Sequence, residues 1–234
     1  VLPDLRGHGG STNTADAASY TLDQLVEDLL AFVEAEDLAG CDLLGHSLGG
    51  MVALRAALAA PERFGSLILM NTAARAPALP RALFDVACKV VEAAGLETLL
   101  ELMRRRDPDE TGRTGPDRRL EAEWGEAYWS EWRLPNYRAM DPVAYGALGA
   151  ALFEQEPLGA RLGALRLPTL VLVGAEDDGF LAAADELAAG IPRARRVTIP
   201  EAGHQPQLET PGAWLEAIRA HLAQVRGRPA VAGS

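Results

Sequence analysis

Residues 41–61 read CDLLGHSLGGMVALRAALAAP. Gly40 punctuates the chain ahead of them, Cys41–His46 is a short apolar run, and residues 48–60 are rich in Ala and Leu until Pro61 closes the segment. A short apolar run after glycine reads as a buried strand, and an Ala/Leu stretch ended by proline reads as a helix. Ser47 thus stands in a sharp turn between a strand and a helix.

Outward from this unit the chain keeps alternating. Upstream, residues 21–36 set Leu22, Leu25, Val26, Leu29, Leu30 and Val33 on one helical face, and Thr21 with Gln24 forms a capping box. Downstream, residues 66–70, 169–174 and 196–199 read as strands, and residues 181–189 and 213–225 as helices between and after them. Such alternation implies an α/β fold with a largely parallel sheet. Between residues 74 and 168 the strand signal vanishes. Segments 83–105, 120–132 and 142–153 look helical there, interrupted by the polar stretch 107–118, so a helical insertion between strands is expected. The core is expected at residues 1–73 and 169–226. Residues 1–5 read as a strand already under way at Val1, and residues 226–234 as a loose tail. No repeat suggests a solenoid.

The 234 residues, 48% of them hydrophobic, suffice for one main core. Lys and Arg total 22 against 33 Asp and Glu, a formal net charge of −11. That field repels phosphate backbones and anionic bilayers, so neither nucleic acid nor a membrane is an expected partner. Apolar runs such as Leu67–Met70 are too short to span a bilayer. Cys41 and Cys88 read as small buried hydrophobes, which makes a reducing cytoplasm the default setting.

Gly45-His46-Ser47-Leu48-Gly49 matches G-x-S-x-G in the strand-turn-helix context that motif requires. A serine there must adopt a strained turn that projects its Oγ outward, so bulky neighbours would clash; Gly49 and Gly50 are expected to let the helix pack closely. The helix also points its positive end at the turn, and the Leu48 N–H can donate to an oxyanion formed beside Ser47.

A serine hydroxyl is a weak nucleophile and needs a general base within hydrogen-bond reach. Four histidines are available. His46 adjoins Ser47, where neighbouring side chains diverge; His221 lies in the last helix among surface-type positions; His8 sits in a Gly-rich loop. His204 follows the last strand, on a loop at the carboxyl end where parallel sheets meet their ligands, and is the expected base. The base needs a carboxylate to orient it, in the chain order Ser, acid, His. Glu176, Asp177 and Asp178 follow the 169–174 strand, with Asp177 favoured and Asp178 the alternative, because spacing cannot separate adjacent residues. Asn71-Thr72-Ala73-Ala74, after the 66–70 strand, offers no acid.

The ordered series Asp4-Leu5-Arg6-Gly7-His8-Gly9-Gly10-Ser11, Gly45-His46-Ser47-Leu48-Gly49-Gly50, Gly174-Ala175-Glu176-Asp177 and Gly203-His204 resembles the α/β-hydrolase superfamily, from Val1 to about the last helix. The resemblance implies a catalytic triad of Ser47, His204 and Asp177, the acid being the third residue after the strand-ending glycine. It also implies a helical cap over the site at residues 74–168 and no metal or organic cofactor. Family members carry earlier strands and a His-Gly loop that completes the oxyanion hole. Neither stands in the sequence, so the expectation is a chain without its first strands, with Leu48 as the remaining donor and an exposed sheet edge. Where family members often have proline after the acid, Gly179-Phe180 stands here.

Trp and Tyr concentrate in the insertion: Trp124, Tyr128, Trp129, Trp132, Tyr137 and Tyr145. Trp124, Trp129 and Trp132 are candidate lining for an apolar acyl or alcohol group of a small-molecule substrate, although such rings also serve to pack helices together. The function expected is hydrolysis of a small carboxylic ester or lactone. Carbon–carbon bond hydrolysis and cofactor-free peroxidation run on the same triad and stand as alternatives, as does a catalytically impaired or ligand-binding member. Dehalogenation is disfavoured, since that branch places Asp at the Ser47 position.

Overall fold

A computed structural model describes residues 1–105 and 115–227. Residues 228–234 of the expected tail and most of the polar stretch 107–118 lie outside the described residues. Among those described, four strands form one parallel sheet in the order β1 (Cys41–His46), β2 (Phe64–Met70), β3 (Thr169–Gly174) and β4 (Ala194–Ile199). β2 and β4 each begin two residues before the apolar pattern does: β2 opens on the buried Phe64, which pairs with Cys41, and β4 opens on Ala194, which pairs with Thr169 ahead of any fully buried side chain. Residues 1–5 form no strand. A strand exists only where a neighbour completes its ladder, and this segment instead turns back on itself: Ser11 Oγ donates to the Asp4 carbonyl at 2.7 Å.

The sheet divides its side chains by the period of two that a pleat imposes. Leu67, Leu69, Val171 and Val173 turn to one face, where they join Met51, Leu54 and Ala57 of α2 (Leu48–Ala59) and Phe180 and Leu187 of α7 (Asp178–Gly190). Ile68, Met70, Leu170 and Leu172 turn to the other, against Trp214, Ala217 and Ile218 of α9 (Pro211–Val225). β3 is buried along its whole length, whereas β1 pairs with β2 alone and leaves Leu44 39% exposed. Helix α1 (Leu22–Ala35) packs on α2. Thr21 caps it by accepting from the Gln24 amide at 3.0 Å, but Gln24 spends its own side chain on Glu27 and Asp28, so the reciprocal half of the capping box does not form.

The insertion between β2 and β3 is helical: α3 (Arg81–Arg105), α4 (Gly115–Trp124), a π-helical turn (Tyr128–Arg133), α5 (Leu134–Arg138) and α6 (Pro142–Glu154). Its first helix is not continuous as the pattern implied, because Gly95 at φ 83° breaks it. Its last part is tied to the chain ahead of α1. His8 pairs with Met140 in an antiparallel bridge, and the Gly9 amide donates to the Ala139 carbonyl at 2.7 Å. Beside this bridge Asp141 is 6% exposed and caps α6 through the Val143 amide at 2.9 Å, while also accepting from the Ala15 amide at 3.1 Å and from the Tyr20 hydroxyl. Burial pushes this carboxyl up, but the hydrogen bonds from Tyr20, Val143, Ala15 and Ala144 outweigh it and hold it below its usual range.

Asp141→Ala removes a helix cap and orphans the buried Tyr20 hydroxyl together with the part-buried Ala15 amide, so urea unfolding of the variant is expected to show a loss of about 3 kcal/mol. A loss below about 1 kcal/mol would mean that this carboxylate does not join insertion to core.

Candidate active site

Every strand ends in a residue that enters one cluster. β1 runs into Ser47, β2 into Asn71, β3 into the turn holding Asp177, and β4 into the loop holding His204. The ladder continues one residue past the strands: the Ser47 amide donates to the Met70 carbonyl at 3.0 Å and the Asn71 amide to the Leu172 carbonyl at 2.9 Å. Convergence at the carboxyl edge is where open parallel sheets meet their ligands.

Ser47 holds φ 51° and ψ −119°, a region that L-residues avoid and that costs on the order of 1–3 kcal/mol. The turn survives because it is gripped on both sides. Its carbonyl accepts from the Gly50 and Met51 amides and from the Thr72 hydroxyl at 2.7 Å. The crowding falls on Gly45, where a Cβ would lie 2.3 Å from the Gly49 carbonyl oxygen, and on Gly50, where it would lie 2.5 Å from the Thr72 Cβ. Gly49 corrects the expectation from the motif: a Cβ there would face open space. Leu48 opens α2, so its N–H belongs to the first turn, whose donors have no acceptor within the helix.

From Ser47 a hydrogen-bonded chain leads inward. His204 Nε2 lies 3.1 Å from Ser47 Oγ and His204 Nδ1 lies 2.9 Å from Asp177 Oδ2. A carboxylate can only accept, so Nδ1 carries the proton and Nε2 presents its lone pair to the serine hydroxyl. The Asp177 side chain is 7% exposed and that of His204 30%, so the acid end is dry and the serine end opens outward. Asp178 starts α7 and takes no part in this chain.

Asn71, set aside because it is not an acid, holds the acid. Its Nδ2 donates to Asp177 Oδ2 at 2.6 Å and to the Gly203 carbonyl at 3.0 Å, which ties the acid turn to the His204 loop. His46 does not diverge from the site either. Its ring packs 4.9 Å from that of His204, and its Nε2–H donates to the His204 carbonyl at 2.7 Å. Burial, and then the neighbouring His204 imidazole, push its pKa down to about 4. Glu209 completes the frame: its Oε2 accepts from the Gly203 amide at 2.6 Å and the Gln205 amide at 3.3 Å, the two N–H groups on either side of His204. Nothing in the local sequence marks these roles, since each partner is distant along the chain or belongs to the backbone.

The other candidates are placed as follows. His8 lies in the bridge to Met140, and His221 is buried at 3% exposure rather than at a surface position, with burial lowering its pKa. Trp129 and Trp132 pack with Leu100, Leu120, Tyr128 and Leu208, while Trp124 meets Trp132 edge-on at 6.2 Å and is 37% exposed. Arg119 of α4 reaches Glu176 at 2.9 Å and the Glu201 carbonyl at 3.0 Å, so one guanidinium joins the insertion to the loops bearing Asp177 and His204. Among the described residues no group of His, Cys, Asp and Glu is arranged to hold a metal, and no helix is long and apolar enough to cross a membrane.

A parallel sheet flanked by helices, with a strained serine turn after one strand, defines the class, and the family model for the alpha/beta hydrolase fold matches residues 1–211: the chain belongs to that family. Among its relatives, the pimeloyl-[acyl-carrier protein] methyl ester esterase of Nitrosomonas europaea is 32% identical over 228 residues, covering 93% of this chain and 82% of that protein. The 2-hydroxymuconate semialdehyde hydrolase of a Pseudomonas species is 27% identical over 228 residues, covering 96% of this chain and 76% of its own length. A thermophilic esterase from Thermogutta terrifontis superposes with a TM-score of 0.74 at 32% identity, over 95% of this chain and 79% of that one. The chemistry common to these relatives is hydrolysis, which makes this chain a hydrolase by descent.

The neutral state of His46 predicts a pH effect. Its folded pKa is depressed below the ordinary 6.5, so the stability it contributes is complete above pH 6.5 and is lost as pH falls towards 4. Across that window the wild type should lose up to about 1.4 kcal/mol more per pH unit than His46→Gln. Equal slopes in chemical denaturation at several pH values would show that His46 is not buried neutral.

Proposed function

We propose that this chain is a serine hydrolase acting on small carboxylic esters or lactones. The observation that carries the reading is the unbroken chain Ser47 Oγ, His204, Asp177, with steps of 3.1 and 2.9 Å. His204 Nε2 takes the hydroxyl proton as Ser47 Oγ adds to the substrate carbonyl, and Asp177 stabilises the imidazolium that results. The Leu48 N–H donates to the oxyanion at the positive end of α2. His204 then protonates the leaving alcohol as the carbonyl re-forms, which leaves an acyl group on Ser47. A water, deprotonated by His204, adds to this ester; collapse releases the carboxylic acid and returns the proton to Ser47. A lactone follows the same course, with the alcohol remaining attached to the acid. None of these steps calls for a metal or an organic cofactor.

Residues 74–168 act in this reading as a cap over the site, and Trp124 and Trp132 supply apolar surface for the acyl or alcohol group, whereas Trp129 is buried and packs the insertion itself. The free thiols of Cys41 and Cys88 suit a reducing compartment such as the cytoplasm. The relative named as a 2-hydroxymuconate semialdehyde hydrolase favours a second reading, hydrolysis of a carbon–carbon bond beside a carbonyl, by the same nucleophile and base.

A fluorophosphonate probe should label the wild type and not Ser47→Ala. On p-nitrophenyl esters of increasing chain length, His204→Ala is expected to lower kcat/KM at least about 10³-fold. Folded protein that the probe does not label, or undiminished turnover by His204→Ala, sinks the assignment.

A further inference from the structure

The insertion's arginines are mostly paired. Arg75 meets Glu186, Arg81 meets Glu154, Arg104 meets Glu126, Arg119 meets Glu176 and Arg138 meets Glu97. Arg133 makes no ion pair with any described residue, in a chain that carries 33 carboxylate side chains. Its guanidinium is enclosed all the same. The carbon at its centre lies 5.4 Å from the rings of Trp132 and Tyr137 and 6.0 Å from that of Tyr128. Its Nε is buried with no acceptor, and one terminal nitrogen reaches the Tyr137 hydroxyl at 3.5 Å, which leaves most of its five donors unused. Aromatic faces hold a cation by their quadrupole but satisfy none of its N–H groups. A guanidinium kept rigid, half dry and short of acceptors is prepared for an anion.

Two further observations bear on where this arginine stands. It ends the π-helical turn Tyr128–Arg133, and π-turns inside helical segments occur frequently at functional sites. Trp132 and Tyr137, which flank it, pack in one cluster with Leu208, four residues beyond His204. Tyr145 also lies close enough to Arg133 to feel its charge. It has no hydrogen bond among the described residues, and burial drives its pKa up, so it remains a neutral donor.

We propose that Arg133 binds a carboxylate borne by the substrate, so that the preferred ester or lactone carries a free acid group at one end and its scissile carbonyl at Ser47. The planar fork of the guanidinium matches the two oxygens of a carboxylate, and a single half-buried positive charge suits a monoanion. The ring faces on its flanks lower the polarity around it, which strengthens those bonds. This deepens the hydrolase reading above and rests on it for the position of the reacting carbonyl.

The test compares mono-p-nitrophenyl adipate with the same ester whose free acid is capped as a methyl ester. The wild type should prefer the free acid. Arg133→Gln should lower kcat/KM about 10- to 100-fold on it, chiefly through KM, and less than about 3-fold on the capped ester, while Arg133→Lys recovers part of the loss. Equal losses on both substrates would make Arg133 a structural anchor and overturn the proposal, as would a wild type indifferent to the cap. Calorimetric titration of Ser47→Ala with adipate separates the two readings. Binding that Arg133→Gln abolishes upholds the carboxylate site even if neither ester is turned over, in which case the hydrolase reading is the one that fails. Binding unchanged by Arg133→Gln, or no binding, overturns the proposal.

Discussion

One carboxylate oxygen, Asp177 Oδ2, receives both the His204 imidazole and the Asn71 amide. Asp177 stands after β3, Asn71 after the central neighbour β2, and His204 after β4, so a single buried acceptor joins three strand ends. Removing it would leave two donors unpaired in a site that is almost dry at this end, and no other acceptor of theirs would hold the imidazole in line with Ser47. Asn71 extends the same constraint to the Gly203 carbonyl, one residue before the histidine. The geometry at Ser47 therefore depends on a network whose members belong to four separate strand ends.

The loop bearing His204 is held at each carbonyl from Glu201 to His204. Arg119 takes the Glu201 carbonyl, the Glu176 amide takes that of Ala202, Asn71 takes that of Gly203, and His46 takes that of His204; Glu209 accepts from the amides on both sides. A catalytic imidazole must hold its position to a fraction of an ångström, and a loop by itself does not supply that rigidity. Here the rigidity comes from side chains on β1, the β2 end, α4 and α8 (Pro206–Glu209). Arg119 also couples this loop to the insertion, and the Asp141 hydrogen bonds couple the other end of the insertion to the residues ahead of α1.

Several parts of this arrangement are legible along the chain because they rest on local physics. The strand before Ser47 and the helix after it follow from an apolar run and an Ala/Leu segment, and their bounds match the structure to within a residue. The order of serine, acid and histidine follows from three strand ends read in turn. The helical insertion follows from the loss of strand pattern after β2. Two local readings went astray for reasons of partnership: residues 1–5 have strand composition but no ladder neighbour, and Gly49 has the motif's residue type but no crowding. Gly95 likewise sits inside a helical pattern, and only its left-handed backbone shows that the helix ends and restarts there.

By itself the sequence determined the alternation of strands and helices, the turn that strains Ser47, and which residue types could form a nucleophile, a base and an acid. These depend on neighbours within a few positions. Tertiary structure alone decided that Asn71, His46 and Glu209 hold the frame, and that Arg133 stands enclosed by rings with no ion pair to any described residue. The physical reason is that a hydrogen bond is specified by direction and distance to within a few tenths of an ångström. Partners such as His46 and His204 stand 158 residues apart, so no pattern along the chain encodes their meeting.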